Sequence, residues 1–204
     1  MKLLPLVTSE IVELAAGWLG QRENFQWLDF GNGRQAVTPA LLRIMAQRDT
    51  HLMRVYTADD DVTPIGVVAL NNVDRVFGTG TLWGLAGAKS FHIRGYGSLA
   101  ASNFLAYAFG EHGLKSVNTW VVDGNPSRRV IERVGFRYIG RQRRCHVIDG
   151  KPHDRLLYDL LADEFKPYDE ARVQRASTPR GASRRNATGR GPFPVSATDG
   201  EAVR

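Results

Sequence analysis

At 204 residues, 43% apolar and 24% charged, the chain can bury a sizeable core, which fits one domain plus some extra. No apolar run approaches the roughly 20 residues of a membrane span, and residues 1–6 are too short and too quickly polar for a secretory signal, so a soluble, cytoplasmic protein is expected. A single cysteine, Cys145, excludes an internal disulfide and any multi-cysteine metal site, while the net charge of +6 suggests an anionic ligand or partner.

Residues 3–7 read as a short strand, and Thr8-Ser9 followed by Ile11, Val12, Leu14, Ala15, Trp18 and Leu19 reads as a capped amphipathic helix. The next stretch, Glu23 to Gly33, is read as a loop in which Phe25, Trp27 and Phe30 interleave with Asp29 before a Gly-Asn-Gly turn. Such a segment suits the wall of a small-molecule pocket, and equally suits packing against the core. Thr38-Pro39 opens a second helix carrying Leu41, Leu42, Ile44 and Met45. The period then changes: residues 51–56 alternate, and 64–70 are strongly apolar, which predicts a hairpin over 51–70 with Asp59, Asp60 and Asp61 at a solvated tip.

Residues 78–87 form a strand-like segment rich in glycine, and glycine inside a strand marks a bulge or a close backbone approach. It runs toward His92-Ile93-Arg94-Gly95-Tyr96-Gly97-Ser98, which places two glycines at the mouth of a helix extending to about Phe109. The first amides of a helix lack internal partners and carry the positive end of its dipole, so this mouth suits an anion; a plain surface turn is the competing reading. A strand follows at 115–122, then a turn through Asp123, Gly124, Asn125 and Pro126 into a helix closed by Gly135, then a strand from Phe136. Asp149-Gly150 signals a hairpin between 141–148 and 155–160, and the regular pattern ends near Phe165. Cys145-His146 is read as adjacent strand residues on opposite faces, with the cysteine packed rather than nucleophilic.

Residues 166–204 form a basic tail of Arg, Ser, Thr, Gly, Pro and Ala, expected to be disordered because it has too little apolar surface to offset the entropy of ordering. A plain solvated extension is favoured over an RNA-binding one, since no aromatic interleaving supports base stacking. For the glycine loop, a dinucleotide site fails because 88–92 is a poor buried strand and Asp123 lies too far along. A triphosphate P-loop fails because the Gly-Lys-Ser/Thr ending is absent.

The element order, His92-x-x-Gly95-x-Gly97, and Asn125-x-Ser127 continuing to Glu132-Arg133-Val134-Gly135-Phe136 together resemble the GNAT (Gcn5-related) N-acetyltransferase family over residues 1–163. The second motif looks most like the ribosomal-protein-alanine N-acetyltransferase subgroup. The resemblance implies an α/β fold over 1–165: a central mixed, mostly antiparallel twisted sheet, splayed between two central strands and flanked by helices. It implies acetyl-CoA, or another acyl-CoA, as co-substrate, no metal, and a primary amine of a small molecule or protein N-terminus as acceptor. No membrane partner is expected, nor nucleic acid except through the basic tail, and the protein is expected as a monomer or homodimer.

By the same resemblance, Leu85, Ala86 and Gly87 border the pantetheine arm, and His92, Ile93, Arg94, Gly95, Tyr96, Gly97 and Ser98 surround the pyrophosphate. Asn125 lies beside the pantetheine or acetyl group. Ser127 is the candidate acid or thiolate stabiliser, with a helix-capping hydroxyl as the competing reading. A tyrosine that many members carry is replaced here by Ile131, and no carboxylate stands on the strand at 81–84. Asp29 is the favoured base, with Asp74 or a water chain as alternatives. Trp27, Asp29 and Phe30 are assigned to the acceptor cleft, and Trp83 to its opposite wall. A different donor such as an aminoacyl-tRNA, or a non-catalytic acyl-CoA-binding module, are the alternative functions.

Overall fold

Thr8 and Thr38 begin the first helices as their sequence suggests. The Thr8 hydroxyl accepts from the Ile11 amide at 3.4 Å, and that of Thr38 from the Leu41 amide at 3.2 Å, with Pro39 in the first turn. The structure, a computed structural model, describes residues 1–30, 37–88 and 95–168. The Gly31-Asn32-Gly33 turn, His92, Ile93, Arg94 and the tail from 169 therefore lie outside the described residues.

The elements run β1 (Leu3–Pro5), α1 (Ser9–Leu19), α2 (Arg22–Phe25), α3 (Pro39–Ala46), β2 (Leu52–Thr57), β3 (Pro64–Asp74) and β4 (Thr79–Ala86). They continue with α4 (Tyr96–Gly110), β5 (Ser116–Val122), α5 (Arg128–Val134), β6 (Arg137–Ile148) and β7 (Lys151–Leu161). The strands form one mixed sheet ordered β1-β2-β3-β4-β5-β7-β6, in which β4–β5 is the parallel pair and the other neighbours are antiparallel. Alternation along the strands feeds two cores. Val55, Val67 and Ala69 join α1 and α3 residues such as Val12, Leu19 and Leu42 on one face. Val68, Leu70, Leu82, Val117 and Leu156 meet α4 and α5 through Phe104, Leu105, Ile131 and Val134 on the other.

The parallel pairing of β4 with β5 sets the architecture. It covers Thr79–Ser116, Gly80–Val117 and Thr81–Asn118, after which β4 runs on to Ala86 and β5 to Val122 without partners in each other. The sheet is thus splayed between its central strands. The Thr119 hydroxyl bridges the throat of the fork, donating to the Leu82 carbonyl at 2.8 Å.

Three expectations are corrected. The stretch at 22–25 is a short helix rather than loop. The glycines of β4 mark what was expected of them: the register with β3 shifts between Asn71 and Asp74, opposite Gly80, a Cβ on Gly84 would stand 3.0 Å from the Val67 carbonyl oxygen, and the parting lies on the other edge of the strand. Just beyond the strand, the Gly87 and Ala88 amides both donate to the Ile65 carbonyl, at 2.8 and 3.0 Å, a bulge-like ending. The acid cluster is more than a solvated tip: Asp59 accepts from the Tyr96 hydroxyl at 2.6 Å, and Asp60 accepts from the Val62 and Thr63 amides at 2.9 Å. Cys145 is not packed into the core but half-buried at an irregularity of β6, its thiol donating to the Gln142 carbonyl at 3.2 Å.

Candidate active site

The fork opens where β4 and β5 end and α4 and α5 begin. Gly95, with φ +77°, enters α4 in the left-handed region that glycine tolerates, and as the N-cap residue it has no side chain to offer the helix. The positive end of α4 faces the mouth of the fork. A Cβ at Gly97 would stand 3.6 Å from Val130 of α5, so the two helix starts are neighbours. Tyr96 and Ser98 are buried at this end, with Tyr96 tied to Asp59 as above and the Ser98 amide donating to the Gly95 carbonyl at 3.0 Å. The Tyr96 side chain thus ties the start of α4 to the β2–β3 turn.

Leu85, Ala86 and Gly87 lie along the β4 side of the opening. Gly87 is covered by Trp18 of α1, whose ring would stand 2.0 Å from a Cβ there. Leu85 is held in a way the sequence reading missed. Tyr56 of β2 is the cross-strand partner of Gly66, and its ring passes over that glycine to donate its hydroxyl to the Leu85 carbonyl at 3.2 Å. A Cβ on Gly66 would meet the Tyr56 ring at 2.3 Å and the Leu85 carbonyl oxygen at 2.5 Å. Burial pushes the Tyr56 phenol well above its ordinary value, so it remains a proton donor.

On the β5 side, the Asn125 side-chain carbonyl accepts from the Ser127 amide at 2.8 Å, and the Asn125 amide donates to the Val122 carbonyl at 2.9 Å. Asn125 thus organises the turn into α5, and the Ser127 hydroxyl makes no capping bond. That separates the two roles proposed for Ser127: the backbone is capped by its neighbour, which leaves the half-buried hydroxyl available for other work.

The acceptor-side residues gather on the α1–α3 face. Trp83 and Phe30 do not stand on opposite walls but pack edge to face, 4.9 Å between centroids, and the Trp83 indole donates to the Asn71 side chain at 2.8 Å. Trp27 is half-buried in the turn after α2, its amide donating to the Asn24 carbonyl at 3.2 Å. Asp29 is half exposed, 3.4 Å from Arg155 of β7. Asp74, the alternative base, accepts from the Val76 and Phe77 amides at the far end of the β3–β4 hairpin, about 20 Å from the mouth of the fork beside Ala86 at a strand rise of about 3.3 Å per residue. That distance removes it from the site.

Three further residues complete this side. The Arg155 guanidinium lies 3.7 Å above the Trp120 ring of β5 and donates to His146 Nδ1 at 3.1 Å. His146, 6% exposed, uses Nε2 on the Gln26 carbonyl at 2.7 Å. With one nitrogen facing a carbonyl and the other a guanidinium, the imidazole is neutral and carries its proton on Nε2. Desolvation lowers its pKa, and the Arg155 charge lowers it further. These residues are distant in sequence. A register shift between Gln142 and His146, with Arg144 at φ +52° and its amide on Asp154 at 2.8 Å, delivers His146 beside Arg155. Among the described residues there is no group of His, Cys, Asp and Glu that could hold a metal ion, and no helix is long and apolar enough to cross a membrane.

Comparison with known proteins agrees with this geometry. The chain is 34% identical over 102 residues to the putative ribosomal N-acetyltransferase YdaF of Bacillus subtilis (strain 168), an alignment covering 50% of this chain and 55% of that protein. It therefore spans about half the length of this curated relative. Among solved structures, the spermidine N-acetyltransferase of Vibrio cholerae in complex with CoA and spermine superposes with a TM-score of 0.70 at 15% identity, covering 80% of this chain and 96% of that one. RimJ of Mycobacterium smegmatis, in complex with CoA-disulfide, gives 0.68 at 23% identity, covering 83% and 86%. At these identities the structural likeness speaks for the fold. The acetyltransferase (GNAT) domain model matches residues 1–137, and with the forked sheet and the glycine-led helix in place, the chain belongs to the GNAT acetyltransferase family.

Proposed function

We propose that this protein transfers an acetyl, or another short acyl, group from acyl-CoA to a primary amine. The observation that carries the reading is the fork between β4 and β5, with the start of α4 at its mouth. An extended arm bearing amides fits between strands that have parted, and a pyrophosphate fits the positive end of a helix that begins on glycine. Leu85, Ala86 and Gly87 border the arm, Gly95 to Ser98 lie at the phosphates, and the side-chain amide nitrogen of Asn125 is directed at the arm or acyl group.

The thioester supplies an activated acyl carbon. The neutral amine nitrogen bonds to that carbon, the C–S bond breaks, the nitrogen gives up a proton, and the departing sulfur gains one, leaving an amide and free thiol. Ser127 is assigned to the sulfur, because its hydroxyl is not spent on capping α5. Asp29, the one of the two candidate carboxylates that lies beside the cleft, is assigned to the proton of the amine, directly or through water. The aromatic wall of Phe30, Trp83 and Trp120 encloses the acceptor.

For the acceptor, a protein amino terminus is favoured over a polyamine. The Arg155 cation in the cleft opposes a polycation, while its sequence relative is named as a putative ribosomal N-acetyltransferase. The domain carrying this chemistry is assigned to residues 1–165, and the basic segment 166–204 is given no part in it. Calorimetry with acetyl-CoA, followed by thiol release with a panel of amines, tests the reading: tight binding with no turnover on any amine overturns it in favour of a binding module.

A further inference from the structure

The segment from α2 to Phe30 touches the β6–β7 hairpin at three points along its length. Arg22 pairs with Asp149 at the hairpin tip, the Gln26 carbonyl accepts from His146, and Asp29 meets Arg155 at 3.4 Å. The first contact comes from α2 and the other two from the turn that follows it.

The middle contact differs from the outer two. Arg22 and Asp149 are both well exposed, and an exposed ion pair contributes little. His146 is buried and joins both partners at once: Nε2 holds the segment's backbone while Nδ1 holds Arg155 flat on Trp120. Losing it leaves a buried carbonyl and a largely buried guanidinium each short of a partner.

We propose that His146 is the positioning residue of the acceptor side, the pin of a clasp that fastens segment 22–30 to the β6–β7 hairpin and so sets how the amine is bound. This rests on the acyl-transfer reading. The pin lies on the α1–α3 face, away from the α4 start assigned to the donor, so its loss acts on the acceptor alone. It is not itself a base, since both ring nitrogens are engaged.

The test compares His146→Leu, which keeps the volume and loses both hydrogen bonds, with His146→Gln, whose amide offers one donor and one acceptor. Amide hydrogen exchange reads the clasp directly, and steady-state kinetics with acetyl-CoA and two probes, an alanine-initiated hexapeptide and spermidine, read its effect. For His146→Leu, exchange across 22–30 and the KM of the better acceptor each rise about tenfold, with the KM of acetyl-CoA within about twofold of wild type. His146→Gln recovers most of both. Unchanged exchange in His146→Leu, a donor KM that rises in step, or no recovery by glutamine overturns the proposal. A wild-type protein that binds no acetyl-CoA, or acylates neither probe, instead overturns the underlying reading; exchange still reports whether the clasp exists.

Discussion

Gly66→Ala is the sharpest single perturbation of the donor side. The added methyl carbon would sit 2.3 Å from the Tyr56 ring and 2.5 Å from the Leu85 carbonyl oxygen. Leu85 cannot retreat, being paired with Val67 within the continuous β3–β4 ladder, so the tyrosine must swing away. Overpacking costs about 1–3 kcal/mol, and the buried Tyr56 hydroxyl parted from its acceptor costs about 1–3 kcal/mol. Removing a glycine from the unfolded chain returns about 0.4–1 kcal/mol. The net is about 3 kcal/mol, and at about 2–4 °C per kcal/mol for a chain of this size the melting temperature falls by roughly 6–12 °C. Calorimetric melting measures this, with Tyr56→Ala and the double substitution completing a cycle. Since the clash needs both side chains, the double variant must be less destabilised than the sum of the singles. A Gly66→Ala protein melting within about 1 °C of wild type, or strict additivity, would refute the argument.

Three other outcomes are expected. Ser127→Ala lowers kcat while leaving acetyl-CoA affinity and melting temperature unchanged, whereas Asn125→Ala, which removes the cap on the Ser127 amide, costs about 1 kcal/mol and lowers melting by about 2–4 °C; equal effects on melting would erase the division of labour between them. Gly97→Glu puts a carboxylate at the α4 start and abolishes CoA binding in calorimetry, and since a Cβ there has ordinary contact with Val130 the fold survives, as circular dichroism would report. Unaltered CoA affinity in that variant would sink the phosphate assignment. Burial holds the pKa values of His51, His112 and His146 below the ordinary value of about 6.5. The unfolded chain therefore takes up more protons than the native one as pH falls below that point, and stability declines until the depressed native values are passed. Urea midpoints at stepped pH check this, and a midpoint that rises on acidification would contradict it.

Hairpins, caps and the glycine-led helix were legible because each is written in neighbouring residues: Thr8 and Thr38 at helix starts, Asp149-Gly150 at a turn, Gly95 before an apolar run. So was the neighbourhood of the starts of α4 and α5, where two motifs close in sequence flank one strand. The acceptor side was only half legible. Asp29 and Phe30 stood out as polar and aromatic interleaving, but Trp120, His146 and Arg155 meet through the pairing of three strands and a shift of two residues in β6, which simple alternation past Asp149-Gly150 does not foretell. Asp74 was eligible by residue type and excluded only by where its hairpin ends. Tyr56 was within reach, since the 51–70 hairpin already sets it opposite a glycine.

The short β4–β5 junction has a mechanical consequence. Within the sheet itself two leaves, β1–β4 and β5–β7, are stitched by three residue pairs and the Thr119 hydroxyl, with the seam widening toward the starts of α4 and α5. A molecule lodged in that seam bears on both leaves at once. Its occupancy should damp opening motions across the full width of the sheet, so that slowed hydrogen exchange in β1 or β6, far from any contact, becomes a measure of filling at the centre.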